Sequence, residues 1–525
     1  MYRLLDQRLE RLAALDRDCL SGGGRGVEKE SLRVTADGRI AATPHPRALG
    51  AALMHPWITT DYSEALLEFV TPPQQRCWET LQFLCDIHQF VYPRLAEGEL
   101  LWATSMPCAV GGDASIPVAE YGSSNIGRMK HIYRLGLGYR YGRVMQTISG
   151  VHFNYSMPES FWIALHEIEG WTGSEREFRD RMYFGLLRNF RRFGWIVLYL
   201  FGASPALCKS FLGGRDPGLS EFDKGTYYGP HATSLRMSDL GYRNTSQASI
   251  QLSMNSLDEY LAGLEHAIRS PWPPYERIGV QANGEWRQLS ANALQIENEY
   301  YGFIRPKQPI HQGERPTLAL RRAGVAYMEV RALDVSPYDP AGVSQNEFRF
   351  LEAFLIFCML HDSPPIAEGE LELLDDNHAR VAVAGRRPDL ALLISGIERP
   401  LAGWGREICR QLAPICRLLD QDDPARSYSA ALELQAAKLE DASLTPSARI
   451  LAEMRQEGES FFQFAMRMSR QHQDYFASLP PMSQARLEEF QAEAVRSLQA
   501  QGAMETAETE PFESFLARYF ATPGL

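Results

Sequence analysis

The chain is 525 residues long, 45% hydrophobic and 22% charged, a globular composition with apolar matter for a large core rather than a disordered or fibrous one. Its net charge of −12, from 53 Lys and Arg against 65 Asp and Glu, argues against wholesale binding to nucleic acid or to an anionic membrane, while leaving room for a local basic pocket for phosphates. The eight cysteines include no CxxC pair, which argues against a structural zinc site and suits a reducing cytoplasm. Packing is the expected role of Cys108.

Residues 1–20 carry Leu5, Leu9, Leu12 and Leu15 at helical spacing among acids and lack the continuous apolar region of a secretory signal. "SGGGRG" (21–26) is expected to lead flexibly into a first strand, "GVEKESLRV" (26–34). Further strand-type runs are "ALLEFVTP" (65–72), "GVHFNYSMP" (150–158) and "VAYMEVRAL" (325–333). Helical runs include "TLQFLCDIHQFVYPRLAE" (80–97) and "QNEFRFLEAFLIFCMLHD" (345–362). The most apolar run, 193–208, is uncharged between Arg192 and Lys209. It is shorter than the ~20 residues of a membrane helix and is expected to be a buried core segment. Strands that alternate polar with apolar favour an antiparallel sheet with one solvated face. Beyond about residue 370 the pattern turns helical: Ile408, Leu412, Ile415 and Leu419 share one stripe, and 484–501 repeats it with more charge. The expected organisation is one catalytic unit over 1–525, with a sheet-based core at 20–370 and a helical part at 371–525 packed on it.

Residues i and i+2 of a strand share a face. Glu28 and Glu30 therefore share one, with Val27 opposite; His152 and Asn154 another, with Val151, Phe153 and Tyr155 opposite; and Tyr327, Glu329 and Arg331 a third, with Met328 and Val330 opposite. Asp61 precedes a strand and Glu68 lies inside it. If these strands are neighbours, Glu28, Glu30, Asp61, Glu68 and Glu329 converge with His152 and Arg331. Such a cluster needs cations to stay ionised, and hard oxygen ligands select Mg²⁺ or Mn²⁺. Several carboxylates suggest more than one ion, as in sites that clamp a triphosphate. The same spacing also describes a solvated strand face paired with Lys or Arg, and His152 alone also suits a core histidine. "GASPALCKS" ends like a P-loop but places Cys208 where a glycine belongs, and "GGGRG" lacks the dinucleotide-binding spacing. Arg305 and Lys307 fit either phosphate contacts or a solvated basic turn.

"GVEKESLRV", "HPWITTDYSEALLEFVTPP", "YGSSNIGRMKHIYRLGL", "YGRVMQTISGVHFNYSMP", "LFGASPALCKSFL", "ATSLRMSDLGYRN", "LQIENEYYGFIRPK" and "YMEVRALDVSPYDPAGV" together closely resemble glutamate–cysteine ligase of the proteobacterial type. The similarity runs in order from about residue 20 to 370 and recurs at "TPSARIL" and "ETEPFESFLARYF". The resemblance implies an α+β fold: a curved, mainly antiparallel, glutamine synthetase-like funnel of sheet wrapped by helices. It implies Glu28, Glu30, Asp61, Glu68, His152 and Glu329 as metal ligands, and Arg331 near the transferred phosphate, with Glu329 and His152 beside it in catalysis. It further implies a cysteine pocket of Tyr62, Tyr133, Leu137, Gln146, Arg236, Tyr242 and Tyr301. The implied reaction is the first step of glutathione biosynthesis: ATP activates the γ-carboxylate of L-glutamate as γ-glutamyl phosphate, which the α-amine of L-cysteine attacks. Mg²⁺ or Mn²⁺, a monomer and a cytoplasmic location complete the expectation. A ligase for another amine, a nucleotide-binding regulator and a metallohydrolase are the rival readings; the presence of all six metal-ligand positions favours the ligase.

Overall fold

Alternation along Gly24–Val34 (β1) buries Val27 and turns Glu28 to the opposite side, and this two-sided pattern organises the whole molecule. In the computed structural model, which describes residues 3–15, 18–241, 250, 252–311, 313–394 and 396–521, β1 lies centrally in a seven-stranded sheet. Its partners are β2 (Ile58–Thr60), β3 (Leu66–Val70), β4 (Leu100–Leu101), β5 (Gly150–Ser156), β6 (Ile304–Lys307) and β7 (Tyr327–Asp334). The order is β6-β7-β5-β1-β3-β2, with β4 on the end of β1, and each pairing is antiparallel. The sheet stays open. Pro306 sits in the edge strand β6, where a missing N–H is tolerated.

One face is apolar. Val27, Phe69, Val151, Phe153, Met328 and Val330 are all buried there. The helix Gln345–Leu360 covers them, stacking Phe348 on Phe153 with ring centroids 5.1 Å apart. Its start is secured by a capping box between Ser344 and Glu347. Glu175–Phe193 packs behind it through Phe190 and Phe354. The apolar run that follows forms the wholly buried helix Trp195–Phe201, as a core segment should. Among the described residues, no helix is long and apolar enough to cross a membrane.

Lys29 faces this apolar side, away from the glutamates that flank it in sequence. It is buried, with Nζ 2.9 Å from His88 Nε2, so it cannot serve as their counter-charge.

The helical stripe at Leu401–Leu419 buries Ile408, Leu412 and Ile415 in the same core cluster as the sheet. The last helix, Phe512–Phe520, instead packs Phe512, Phe515 and Leu516 against Met129 and Ile132 of the helix Asn125–Tyr141. Two expectations change. The "GGGRG" lead is already strand from Gly24 onward. Cys108, for which packing is the default expectation, forms a disulfide with Cys208, while Cys19, Cys77, Cys85, Cys358, Cys409 and Cys416 remain thiols. The pair lies 100 residues apart in sequence, and only the fold brings it together.

Candidate active site

The polar face of the sheet carries the acids. Register places Glu28 opposite His152, Glu30 opposite Glu68, and Glu329 opposite Asn154. Glu28, His152 and Glu329 each offer a ligand atom within 4.8 Å of the others. Glu30 and Glu68 form the neighbouring rung of the row, with His152 Nε2 3.9 Å from Glu30 Oε1. Asp61 follows β2, and its charge acts on both Glu30 and Glu68. The six expected ligands thus share one face as a compact triad and a second rung, rather than as one cluster.

The two parts differ in their counter-charges. Lys307 Nζ and an Arg331 guanidinium nitrogen each lie 3.1 Å from a Glu329 oxygen. Burial raises the Glu329 pKa, but Lys307, Arg331, His152 and Arg305 outweigh it and hold the group well below the ordinary carboxylate value. Burial and Glu329 likewise act to raise Glu28, and the His152 hydrogen bond with the charges of Lys307 and His152 brings it down. Burial, helped by Arg331, lowers His152 against the raising effect of Glu28 and Glu329. In its neutral form, with Nδ1 donating to Glu28 Oε2 at 3.1 Å, the ring keeps a lone pair on Nε2.

The other rung behaves oppositely. Burial and Asp61 push Glu30 up to about 8 despite Arg236, Arg331 and a hydrogen bond from the Gly150 amide. Burial, Glu28, Asp61 and Glu30 push Glu68 well up, and Glu68 makes no ion pair among the described residues. Three close ligand atoms beside two acids whose pKa is pushed upward form a donor set suited to hard divalent cations.

Beside the row runs the helix Asn125–Tyr141, whose Arg134 donates to the Asp61 carbonyl. Tyr133 is half-buried and Leu137 buried on its inward side. Tyr62 is buried, and its hydroxyl has no partner among the described residues. A Cβ on Gly138 would lie 2.5 Å from that hydroxyl, so the close approach requires glycine there. Tyr301 donates to Gln146 Oε1 at 3.2 Å. Arg236 donates to the Arg331 carbonyl at 3.1 Å and lies 3.6 Å from Asp334. Gly150 admits its guanidinium, since a Cβ there would meet it at 2.1 Å. Tyr242 lies outside the described residues. Arg305 is buried and donates to the Asn298 carbonyl at 3.2 Å; neither it nor Lys307 is the solvated basic turn that sequence left open.

The family model described as glutamate–cysteine ligase matches residues 9–381. The chain belongs to that family. The glutamate–cysteine ligases of Alcanivorax borkumensis and Pseudomonas aeruginosa are each 48% identical to it, over 98% and 99% of this chain and 99% of their own. The crystal structure of the Francisella tularensis ligase in complex with AMP superposes with a TM-score of 0.89 at 34% identity, covering 95% of this chain and 98% of that one. The chain is accordingly an ATP-dependent ligase for glutamate and cysteine, catalysing the first step of glutathione biosynthesis.

Sequence reasoning passed over two polar residues of this ligase face. Asp334 accepts hydrogen bonds from Ala203 N, Ser204 Oγ and Ser234 Oγ beside Arg236. A register shift between Val330 and Leu333 changes the parity of β7, so counting alternate residues from Glu329 misses it. Asn154, two residues from His152, was visible as a face-mate but carried no expected role.

Proposed function

We propose that the two rungs and their neighbouring cations divide the ligase reaction among them. Glu28, His152 and Glu329 would hold one divalent cation and Glu30, Glu68 and Asp61 another, with Mg²⁺ the ion such donors select and Mn²⁺ a substitute. When bound, these ions neutralise the polyphosphate and hold it for in-line transfer. Arg331, fixed by Glu329, would face the transferring phosphoryl group, and Lys307 and Arg305 on the edge strand would meet the nucleotide phosphates.

The γ-carboxylate of glutamate attacks the γ-phosphorus, ADP departs, and γ-glutamyl phosphate results. The α-amine of cysteine then attacks the acyl carbon, and phosphate leaves from the tetrahedral intermediate with the former carboxylate oxygen. No enzyme nucleophile takes part. Arg236, with Tyr301 and Tyr242, would take the cysteine carboxylate, while Tyr62, Tyr133, Leu137 and Gln146 enclose the thiol end. The full chain is proposed to act as a single monomeric unit in the cytoplasm, with 20–370 supplying the sheet-based core and 371–525 packed on it. It has no proposed nucleic-acid or membrane partner.

One observation carries this reading: Lys307 and Arg331 converge on Glu329 at 3.1 Å each, while Glu30 and Glu68, beyond the Glu28–His152 rung, are pushed upward. The test is ADP release by the purified protein with Mg²⁺, ATP and L-glutamate, with and without L-cysteine, alongside product mass. Cysteine-dependent turnover to γ-glutamylcysteine is expected. Efficient turnover only with another amine would overturn the acceptor assignment and leave the acyl-phosphate chemistry standing.

A further inference from the structure

Strand β5 places another polar side chain among these carboxylates. Asn154 stands two residues from His152, opposite Glu329 on β7 and opposite Gly26 on β1. Its Nδ2 donates to Glu28 Oε1 at 2.9 Å. That contact determines which way the amide faces, because an ionised carboxylate only accepts hydrogen bonds. Oδ1 therefore points away from Glu28, where it is shielded from solvent and has no hydrogen-bond donor among the described residues. A buried amide oxygen rarely stands unpaired in a native fold.

The neighbouring donors are engaged elsewhere. Lys307 and Arg331 lie on Glu329, and His152 Nδ1 lies on Glu28. Gly26 offers no side chain. An acceptor bracketed by Glu28 and Glu329 sits where positive charge is favoured. A third carboxylate at this point would face Glu329 across the rung and abut Glu28, whereas an amide supplies an oxygen without adding negative charge.

We propose that Asn154 Oδ1 is a neutral oxygen ligand to the cation held by Glu28, His152 and Glu329, and that Nδ2 orients Glu28 toward the same ion. This rests on the metal reading above. Because the ligand role and the orienting role use different atoms of one amide, substitutions separate them. N154A and N154L remove both atoms; N154D keeps an oxygen and removes the donor.

The experiment is a titration of the full-length protein with Mn²⁺ alone, without nucleotide, reading free Mn²⁺ by electron paramagnetic resonance. N154A is expected to weaken the tightest site about tenfold or more, the range seen when groups supporting a metal ligand are removed, with N154D within about threefold of the parent. Equal weakening in N154D and N154A would overturn the ligand role and leave only the orienting one. An N154A affinity equal to the parent's would overturn both. If N154A fails to fold, N154L, close to asparagine in size and lacking the oxygen, takes its place. E28Q serves as the reference. If E28Q binds Mn²⁺ as the parent does, the metal reading itself fails; if E28Q loses binding and N154A does not, only the role of Asn154 fails.

Discussion

Glu329 and Glu68 stand on the same face of one sheet, a few strands apart, the first fully buried and the second half-buried. Glu329 has Arg331 two residues along its own strand and Lys307 on the adjoining edge strand, and its charge is held well below the ordinary carboxylate range. Glu68 has Leu66 and Val70 as its face-mates along β3 and Glu30 across the rung, and it is pushed well up. The difference shows that burial alone does not set the charge of this row. Position relative to the cationic strands does. One end carries its own positive charge; the other is suited to receiving it with the substrate complex.

The largest effect expected from breaking that asymmetry is on turnover. E329A should lose about a thousandfold or more in kcat, since it removes a proposed metal ligand and the carboxylate that pairs with Arg331; steady-state ADP release measures it. In chelator-treated protein, E329Q and E68Q should move thermal stability in opposite directions. E329Q leaves Lys307 and Arg331 without their counter-charge and should destabilise by about 3–5 kcal/mol. E68Q replaces an acid whose charged form this site disfavours with a neutral amide and should stabilise by about 1–2 kcal/mol. A shift of the same sign in both variants would erase the distinction between the two ends.

The pH dependence sharpens the comparison. Glu30 rises from about 4.3 in the unfolded chain to about 8 in the fold. The folded value is the higher one, so its contribution to stability is complete below the unfolded value and is lost as pH rises toward about 8. Melting temperatures of the metal-free protein between pH 5 and 8 should therefore fall less steeply for E30Q than for the parent. A parallel slope would show that Glu30 does not retain its proton. The smallest effect is expected away from the row. Y301F removes the hydrogen bond to Gln146 and should raise KM for cysteine about 2- to 10-fold with little change in kcat, as suits one neutral hydrogen bond.

Much of the site was legible because side-chain alternation is a local property. The parity that separates Glu28 and Glu30 from Val27, and His152 from Phe153, survives in the fold unchanged. Helical stripes such as Ile408, Leu412 and Ile415 were legible for the same reason. Legibility ended where parity is interrupted or partners are distant. The register shift in β7 hid Asp334. The second glycine of "LGLGY" gave no hint that Gly138 makes room for the Tyr62 hydroxyl. The disulfide between Cys108 and Cys208 has no spacing signature.

By itself, then, the sequence determined which side chains face together within each strand, the presence of a one-sided acidic surface, and, through ordered motifs, the family. Only the tertiary structure decided that β5 lies between β1 and β7, that Lys307 reaches Glu329 while Lys29 turns away to His88, and that Asn154 donates to Glu28. The physical reason is range. Alternation follows from the chirality and pleat of a single strand, whereas the charge state of a buried carboxylate depends on groups hundreds of residues away in sequence, brought within a few ångströms by the order of the strands.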